Sequence, residues 1–352
     1  MGSTLIFMLL CYQLLAGDFI VLIKADERFS ATVYGQIVTT ADPNKNFLLA
    51  PQQIEQLVNN LKPPLLDDDT SRSDNEQVTL NDIQSVDMNG LSRFQLEPRE
   101  AIKVRNRLIT TAADDNDDLR NELEHYKEKL PNVRMEYRSS AKHRSTTSPD
   151  TSVKLINSVT LQARWAFNFQ KRDTHKRLFY ATPLTHVYMD SMRKDDIFRY
   201  GRLLDLNATA VQLPLQYPDL SLLIVLPFES DGLARLKAQL SDLIMVEKIM
   251  TERLRPTLVR VFMPKFKFMH NIDLGKVLEE SKIDLNNTKI HHETTIEINE
   301  DGLGRIERRT VLFWNAYSSL RTTPQIFDMN HPFFFAIRNN EGIQFVGHLA
   351  RL

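Results

Sequence analysis

The residues that could carry chemistry are few, and their spacing matches no catalytic motif. Cys11 is the only cysteine, and the sequence contains no phosphate-binding P-loop, no dinucleotide-binding glycine motif, no His-Glu-x-x-His helix and no Gly-x-Ser-x-Gly elbow. His291-His292-Glu293 offers metal-ligating groups, but neighbouring side chains on a strand point to opposite faces. Asp68–Gln77 lacks the ligand spacing and the glycine of a calcium loop. We therefore predict no enzyme, no metal site and no cofactor.

A cluster of arginines near the C-terminus is the second chemical feature. Arg305, Arg308 and Arg309 lie close together, and Arg321 follows within the same stretch. The cluster is either a solvated loop or a basic contact or cleavage site for trypsin-like or processing proteases, which select basic side chains. Val311–Trp314 is an apolar run in the same stretch, and it either folds back on the body or forms a recognition surface.

Composition and charge exclude several classes of protein and partner. The 352 residues are 42% hydrophobic and 25% charged, which is typical of a globular chain of one or two domains. The 44 basic and 45 acidic side chains give a net charge of −1, so no overall field attracts nucleic acid or an anionic membrane. Partner choice must come from local surface, and we expect a monomer.

The N-terminus predicts secretion. Leu5–Gly17 is an apolar run of the length of a signal-peptide core, so residues 1–17 are predicted to be a cleaved signal, with Lys24-Ala25 as the alternative cleavage region. A signal anchor would place Asp18 inside the bilayer, at about 2.5–3.5 kcal/mol near its centre. A buried N-terminal helix is the third alternative. Cleavage removes Cys11 and leaves a mature chain without cysteine or membrane contact.

Two glycosylation sequons agree with an extracellular glycoprotein. They begin at Asn207 (Asn-Ala-Thr) and Asn286 (Asn-Asn-Thr). Two sequons in a chain of this length are close to the number expected by chance, so they support the prediction only modestly.

The elements that must position these residues are mostly strands. Helical spacing predicts helices over Arg28–Ile37, from Pro51 to Leu61, over Leu119–Leu130 and over Gly232–Leu240. Pro98–Ile109 fits either a helix or a strand. Short β-rich runs predict strands at Leu155–Leu161, Val187–Met189, Leu220–Leu226, Leu258–Phe262 and Phe333–Ile337. Few helices among many strands indicate an α+β fold.

Six segments in order resemble the serpin family. Asn157–Phe169 (NSVTLQARWAFNF) resembles its Asn-to-Trp strand, with Thr174 and Phe179 placed as in the family. The others are Val187-Tyr188-Met189, Leu213-Pro214-Leu215, Leu220–Pro227, Met263–Phe266, and the run from Phe327 through Pro332-Phe333-Phe334-Phe335 and Ile337 to Gly347. The resemblance spans Val153–Leu352 and weakens before residue 150.

The resemblance implies one α+β domain over residues 18–352. That domain would have a large mixed central sheet with helices, a second β-barrel-like layer, and a reactive loop at about residues 300–326. Between Tyr137 and Val153 the family has a helix across its main sheet, whereas this chain has only polar residues there. We therefore expect that helix to be shortened or missing.

The resemblance also implies suicide inhibition of serine proteases, in which the cleaved loop inserts into the main sheet as a new strand. The family hinge is rich in alanine, but the hinge here carries Glu300, Gly302, Leu303, Arg305, Glu307 and Arg309. In the register that begins at Leu303, the last three of these would point inward. A one-residue slip would instead bury Gly304, Ile306 and Arg308. Buried charges oppose insertion.

The scissile bond has two candidate positions. Counting forward from Gly302 gives Ala316-Tyr317, and counting back from Phe327 gives Ser319-Leu320, with Arg321 nearby for a trypsin-like enzyme. The sequence thus predicts a secreted, non-inhibitory serpin that an extracellular serine protease binds or cleaves. A working protease inhibitor is the first alternative, and an extracellular carrier or binding protein is the second.

Overall fold

The computed structural model describes residues 34–38, 41–42, 44–61, 101–110, 124, 126–137, 153–167, 169–217, 219–275, 289–304 and 323–351. Several predictions fall outside these residues. They are the leader, the acidic stretch Asp68–Gln77, the connection 138–152 where a family helix is expected to be missing, Asn286, and residues 305–322 of the reactive loop.

The described residues include sixteen strands and three α-helices with complete bounds. The strands are β1 Phe47–Leu49, β2 Ile102–Thr110, β3 Val133–Tyr137, β4 Val153–Leu161, β5 Ala163–Arg164, β6 His175–Thr182, β7 Thr185–Leu203, β8 Ala208–Pro214, β9 Ser221–Pro227, β10 Arg255–Pro264, β11 Phe266–Asp273, β12 Lys289–Asn299, β13 Gly302–Leu303, β14 Gln325–Asp328, β15 Phe333–Asn339 and β16 Gly342–Leu349. The helices are α1 Pro51–Leu61, α2 Leu233–Gln239 and α3 Leu243–Lys248.

The strands divide between two sheets. A seven-stranded sheet has the order β3-β2-β4-β12-β13-β5, and β11 pairs with the other edge of β12. A nine-stranded sheet has the order β1-β16-β15-β9-β8-β7-β10-β14, with β6 on β7. Both sheets mix parallel and antiparallel pairs, because β12 is parallel to β4 and β14 is parallel to β10. The prediction of an α+β fold with a mixed sheet and a second β layer is confirmed.

The core is formed by strands that are buried on both faces. The residues of β15 (FFFAIRN) are buried except at Arg338, and those of β9 (SLLIVLP) are buried after Ser221. A continuous apolar run of this kind is typical of a strand covered on both sides. Strand β1 joins the two hydrophobic clusters of the core, because Phe47 and Leu49 lie in one cluster and Leu48 lies in the other.

The helix and strand predictions agree with most of the described elements. Helix α1 begins at Pro51, where the missing N–H of proline costs no hydrogen bond, and it buries Ile54, Leu57 and Val58. Four of the five predicted strands are longer in the structure, most of all Val187–Met189, which lies within the 19-residue β7. The undecided stretch Pro98–Ile109 contains strand β2. No helix among the described residues is long and apolar enough to span a membrane.

Candidate functional site

The predicted hinge residues meet the seven-stranded sheet at the parallel pair formed by β4 and β12. Residues 154–160 of β4 pair with residues 289–295 of β12, from Lys154 opposite Lys289 to Thr160 opposite Thr295. We call this paired region the seam. Beyond Thr160 and Thr295 the two strands separate and leave a gap between them.

Strand β13 occupies the start of that gap. Leu303 pairs with Ile298 of β12 on one side and with Ala163 of β5 on the other, and both pairings are antiparallel. The Leu303 side chain is fully buried in the cluster that includes Trp165. Both residues of β13 are therefore part of the sheet, between strands that diverge from the seam.

Gly304 is the point at which the chain departs from regular strand geometry. Its amide donates to the carbonyl oxygen of Glu297 at 2.7 Å, and its φ is +80°. A Cβ at this position would lie 2.1 Å from the carbonyl oxygen of Leu161. Only glycine fits, because the conformation is strained for other residues and the space is closed. Continued insertion would have to change this backbone conformation.

Glu300 anchors the turn between β12 and β13. Its carboxylate accepts hydrogen bonds from Lys265 Nζ at 3.1 Å and from Thr174 Oγ1 at 3.0 Å, and the residue is 7% exposed. Burial raises the pKa of Glu300, but hydrogen bonds from its own amide, Lys265 and Thr174 outweigh burial and hold the pKa below its usual range. Trp165 Nε1 donates to the carbonyl oxygen of Asn299 at 2.8 Å, so the turn is held from two sides.

A buried chain of hydrogen bonds crosses the inner face of the seam. His292 Nδ1 lies 2.8 Å from Asn157 Oδ1, and Asn157 Nδ2 donates to Asn106 Oδ1 at 2.8 Å. Asn106 Nδ2 in turn donates to the carbonyl oxygen of Pro131 at 2.8 Å. The chain links β12, β4, β2 and the turn before β3, so separating β4 from β12 would leave buried polar groups unpaired.

Burial favours the neutral form of His292 in this chain. Burial lowers its pKa to about 3, with a smaller effect from His270. Its Nδ1 donates to Asn157, and no described residue bonds its buried Nε2. Thr294, two residues along β12, donates to the carbonyl oxygen of Leu48 at 2.8 Å and so joins β12 to β1.

The outer face of the seam is held by one carboxylate. Glu293 accepts from Arg107 Nη2 at 3.3 Å, from Ser158 Oγ at 3.1 Å and from Asn271 Nδ2 at 3.4 Å. These partners lie on β2, β4 and β11, so Glu293 of β12 connects four neighbouring strands. The seam is therefore tied by side chains on both of its faces.

The described residues include half of the predicted hinge. Glu300, Gly302 and Leu303 lie together where β4 and β12 separate, and the Leu303 side chain is fully buried. The remaining predicted residues lie outside the described part of the chain: the hinge residues Arg305, Glu307 and Arg309, and the scissile candidates Ala316, Tyr317, Ser319, Leu320 and Arg321. Their roles remain predictions.

Sequence reasoning missed the buried network at the seam. His291 and His292 do point to opposite faces, as predicted, and no cluster of three metal-ligating side chains occurs among the described residues. The overlooked feature is that His292 and Thr294 lie on the same buried face of β12 as Ile290, Ile296 and Ile298. Polar side chains at inward strand positions are a signal of buried hydrogen bonding.

The sequon at Asn207 lies in a tight turn. The residue is half-buried with φ 51°, in the left-handed region that asparagine tolerates better than most residues. Its amide donates to the carbonyl oxygen of Leu204, and its own carbonyl accepts from Phe228. The turn conformation accounts for an asparagine here without glycosylation.

Comparison with known proteins identifies the family. The family model described as "Serpin (serine protease inhibitor)" matches residues 139–352, more than half of the chain. Serpin B4 from Homo sapiens is 27% identical over 224 residues, covering 58% of this chain and 57% of the relative. Iripin-2 from Ixodes ricinus is 30% identical over 224 residues, covering 58% and 55%. The matched region therefore spans little more than half the length of these curated relatives.

A solved structure extends the likeness in fold to most of the chain. A serpin from the trematode Schistosoma haematobium superposes with a TM-score of 0.65 and 18% identity, covering 93% of this chain and 99% of that one. At this identity the likeness concerns the fold alone. It includes the part of the chain before residue 139, where the family model does not match.

The buried His292 makes acid stability a test of the network. Its pKa is about 3 in the folded chain and about 6.5 when unfolded, so between these values only the unfolded state binds the proton. Stability should therefore fall as pH decreases through this window, by about 1.4 kcal/mol per pH unit for this residue. Urea unfolding of the wild type and His292→Gln between pH 5 and 6 should show a shallower pH slope for the variant.

The control variant is His175→Gln, at an exposed position outside the seam. It should keep the pH slope of the wild type. The other buried histidines, such as His348, are present in every protein compared, so they contribute equally to all the slopes. Parallel slopes for wild type and His292→Gln would show that His292 is not held neutral in the seam.

Proposed function

Because the chain belongs to the serpin family, we propose that it is a secreted serpin whose reactive loop is bound and cut by a trypsin-like serine protease without trapping it. The family is described as one of serine protease inhibitors, so a protease is the expected partner. What separates this proposal from a working inhibitor is the fate of the loop after cleavage. The observation that carries it is the register of β13 between β12 and β5.

That register assigns a position to each residue of an inserting loop. Leu303 lies opposite Ile298 and Ala163, so a strand continued without slippage would place Arg305 opposite Ile296 and Leu161. The same continuation would place Glu307 opposite Thr294 and Val159. It would place Arg309 opposite His292 and Asn157. Directly opposed residues of antiparallel strands share a face, so all three charges would point inward.

The positions that would receive these charges are buried. Ile296 and Leu161 are each 3% exposed, and Thr294, Val159 and His292 are completely buried. Moving a charged side chain into such surroundings costs several kcal/mol, and a pairing between Arg305 and Glu307 would offset only part of that cost. Insertion is thus much less favourable than for a loop of small side chains.

The seam adds a second obstacle to insertion. A strand following β13 would have to separate the seven residue pairs between β4 and β12. It would also break the bond between His292 and Asn157 and the contacts that Glu293 makes across to Ser158 and Arg107. The inserted strand would form new backbone hydrogen bonds with β4 and β12 in place of those that it breaks. The charged side chain of Arg309, however, cannot replace the neutral polar contact between His292 and Asn157.

Secretion is the second part of the proposal. The apolar run Leu5–Gly17 supports it, as does the loss of Cys11 on cleavage, which leaves no thiol to oxidise. An extracellular location would expose Arg308-Arg309 to trypsin-like and processing proteases. A working inhibitor remains the alternative, since the family description favours it.

We predict that trypsin at an equimolar ratio remains active and leaves a nicked protein. Slow insertion lets water hydrolyse the acyl-enzyme before the protease is displaced. Arg308→Gln/Arg309→Gln should abolish the cuts that mass spectrometry assigns to these two residues, whereas Lys171→Gln/Arg172→Gln, a pair of exposed basic residues elsewhere, should leave those cuts in place. Denaturing gels and residual trypsin activity are the measurements. A covalent complex that survives denaturation, together with loss of protease activity, would contradict the proposal and show that the protein is a working inhibitor.

We predict that the secreted protein begins near Asp18 or Asp26. Cleavage after Gly17 or after Ala25 removes the apolar run Leu5–Gly17. N-terminal sequencing of protein from the medium of expressing cells is the measurement. Recovery of the chain with Met1 intact in the membrane fraction would contradict secretion, whatever the outcome of the protease experiment.

A further inference from the structure

An apolar patch lies on the outer face of the nine-stranded sheet, at the edge formed by β14. Val259, Val261 and Phe327 are buried in the core, so the residues that alternate with them point away from it. Four apolar residues of β7, β10 and β14, or directly before β14, lie on this outer face: Ile197, Leu258, Pro324 and Ile326. We call these four residues the edge patch.

The strand registers bring the four side chains together. Leu258 of β10 pairs directly with Ile197 of β7, so the two side chains share a face. Ile326 of β14 lies opposite Arg260, and the same register continued back to Pro324 places that residue beside Leu258. Neighbouring strands are about 4.8 Å apart and alternate residues of a strand about 7 Å apart, so the patch is roughly 10 Å wide.

The described residues leave the edge patch open to solvent. Ile326 is 68% exposed, and the other three side chains are partly exposed. The charged neighbour Arg260 is already engaged, because it donates to Asp195 at 2.6 Å and 2.9 Å. Strand β14 is the last strand of its sheet, and an exposed apolar edge strand favours association unless something covers it.

The chain itself contains an apolar segment that is attached beside the edge patch. Val311–Trp314 (VLFW) lies outside the described residues, which resume at Thr323, directly before Pro324. Strand β14 fixes this attachment, because Phe327 is buried and Asp328 accepts a hydrogen bond from Arg177. Trp314 is nine residues from Thr323, so an extended connection can span up to about 30 Å. The edge patch is well within that reach.

The position of the hinge is also compatible with a contact between this segment and the edge patch. Glu300 pairs at 3.0 Å with Lys265, which directly follows β10. Leu258 is six residues before the end of β10, or about 20 Å along the strand. Gly304 is ten residues before Trp314, and an extended chain of that length spans up to about 35 Å.

We propose that Val311–Trp314 packs against the edge patch and so holds the reactive loop to the nine-stranded sheet. Burial of apolar surface on both partners supplies the free energy. Attachment at Thr323 gives the segment a high effective concentration at the patch, so a small contact area is enough. The contact belongs to the intact loop and does not depend on the fate of the loop after cleavage.

Tryptophan fluorescence tests the contact, because the chain contains only Trp165 and Trp314. Subtracting the spectrum of Trp314→Phe from that of the wild type isolates Trp314, since the buried Trp165 is present in both. We expect Trp314 to emit at clearly shorter wavelength than free tryptophan and to be quenched only weakly by acrylamide. Emission and quenching equal to those of free tryptophan would overturn the proposal without any further variant.

A matched pair of variants locates the contact. Ile326→Gln should move the Trp314 emission to longer wavelength and lower the ratio of docked to undocked segment roughly tenfold, because it removes apolar surface from the edge patch. Leu184→Gln makes the same kind of change at a residue that is 95% exposed between β6 and β7, and it should leave the emission unchanged. Each variant is compared with its own Trp314→Phe form, and circular dichroism checks that it is folded.

Three results from these measurements would contradict the proposal. Unchanged Trp314 emission in folded Ile326→Gln would place the segment against another surface. An equal shift in Leu184→Gln would show that the change does not depend on the edge patch. A return of the wild-type emission to that of free tryptophan on dilution would show that a second copy of the chain, and not the same chain, covers the segment.

Discussion

The parallel pairing of β4 with β12 is the constraint on which the rest of the structure depends. Parallel neighbours in the middle of a sheet leave a line along which the sheet can part, because each strand has further partners on its other side. In this chain the line is tied on its inner face by His292 and Asn157 and on its outer face by Glu293. The strands separate only above Thr160 and Thr295, and there β13 fills the gap.

At the hinge, one residue favours the entry of the loop into the seven-stranded sheet and the next one opposes it. Leu303 is an apolar side chain at an inward position, and it is fully buried, so the first step into the sheet is favourable. Gly304 then adopts a backbone conformation and a contact with Leu161 that no other residue type could adopt. The next inward positions belong to arginine and glutamate. The structure thus accommodates Leu303 in the sheet, and our proposal is that the charged residues beyond it oppose the entry of the rest of the loop.

Much of the fold follows from the sequence, because strands buried on both faces leave long apolar runs such as those of β9 and β15. Strand β2 could not be distinguished from a helix, because Ala101, Val104 and Leu108 also have helical spacing, although Ile102 and Val104 alternate with charged residues as in a strand. The hinge was located through its resemblance to a family, and the inward direction of Leu303 followed from strand alternation. The network of Asn106, Asn157 and His292 was missed because its partners lie up to 186 residues apart, the separation between Asn106 and His292. Such pairings depend on the sheet order, which the sequence alone does not display.

The melting temperature before and after loop cleavage tests the central claim most directly. Chymotrypsin can cut near Tyr317, and mass spectrometry identifies the cut. For a chain of this length, a change of about 1 kcal/mol in the free energy of unfolding shifts the melting temperature by roughly 2 °C or less. Full strand insertion would raise the melting temperature by tens of degrees, far above that scale. We predict a small change for the wild type and for Arg308→Ala, whose side chain points outward in the β13 register, but a clear rise for Arg305→Ala/Glu307→Ala/Arg309→Ala. A rise of tens of degrees in the cleaved wild type would contradict the account.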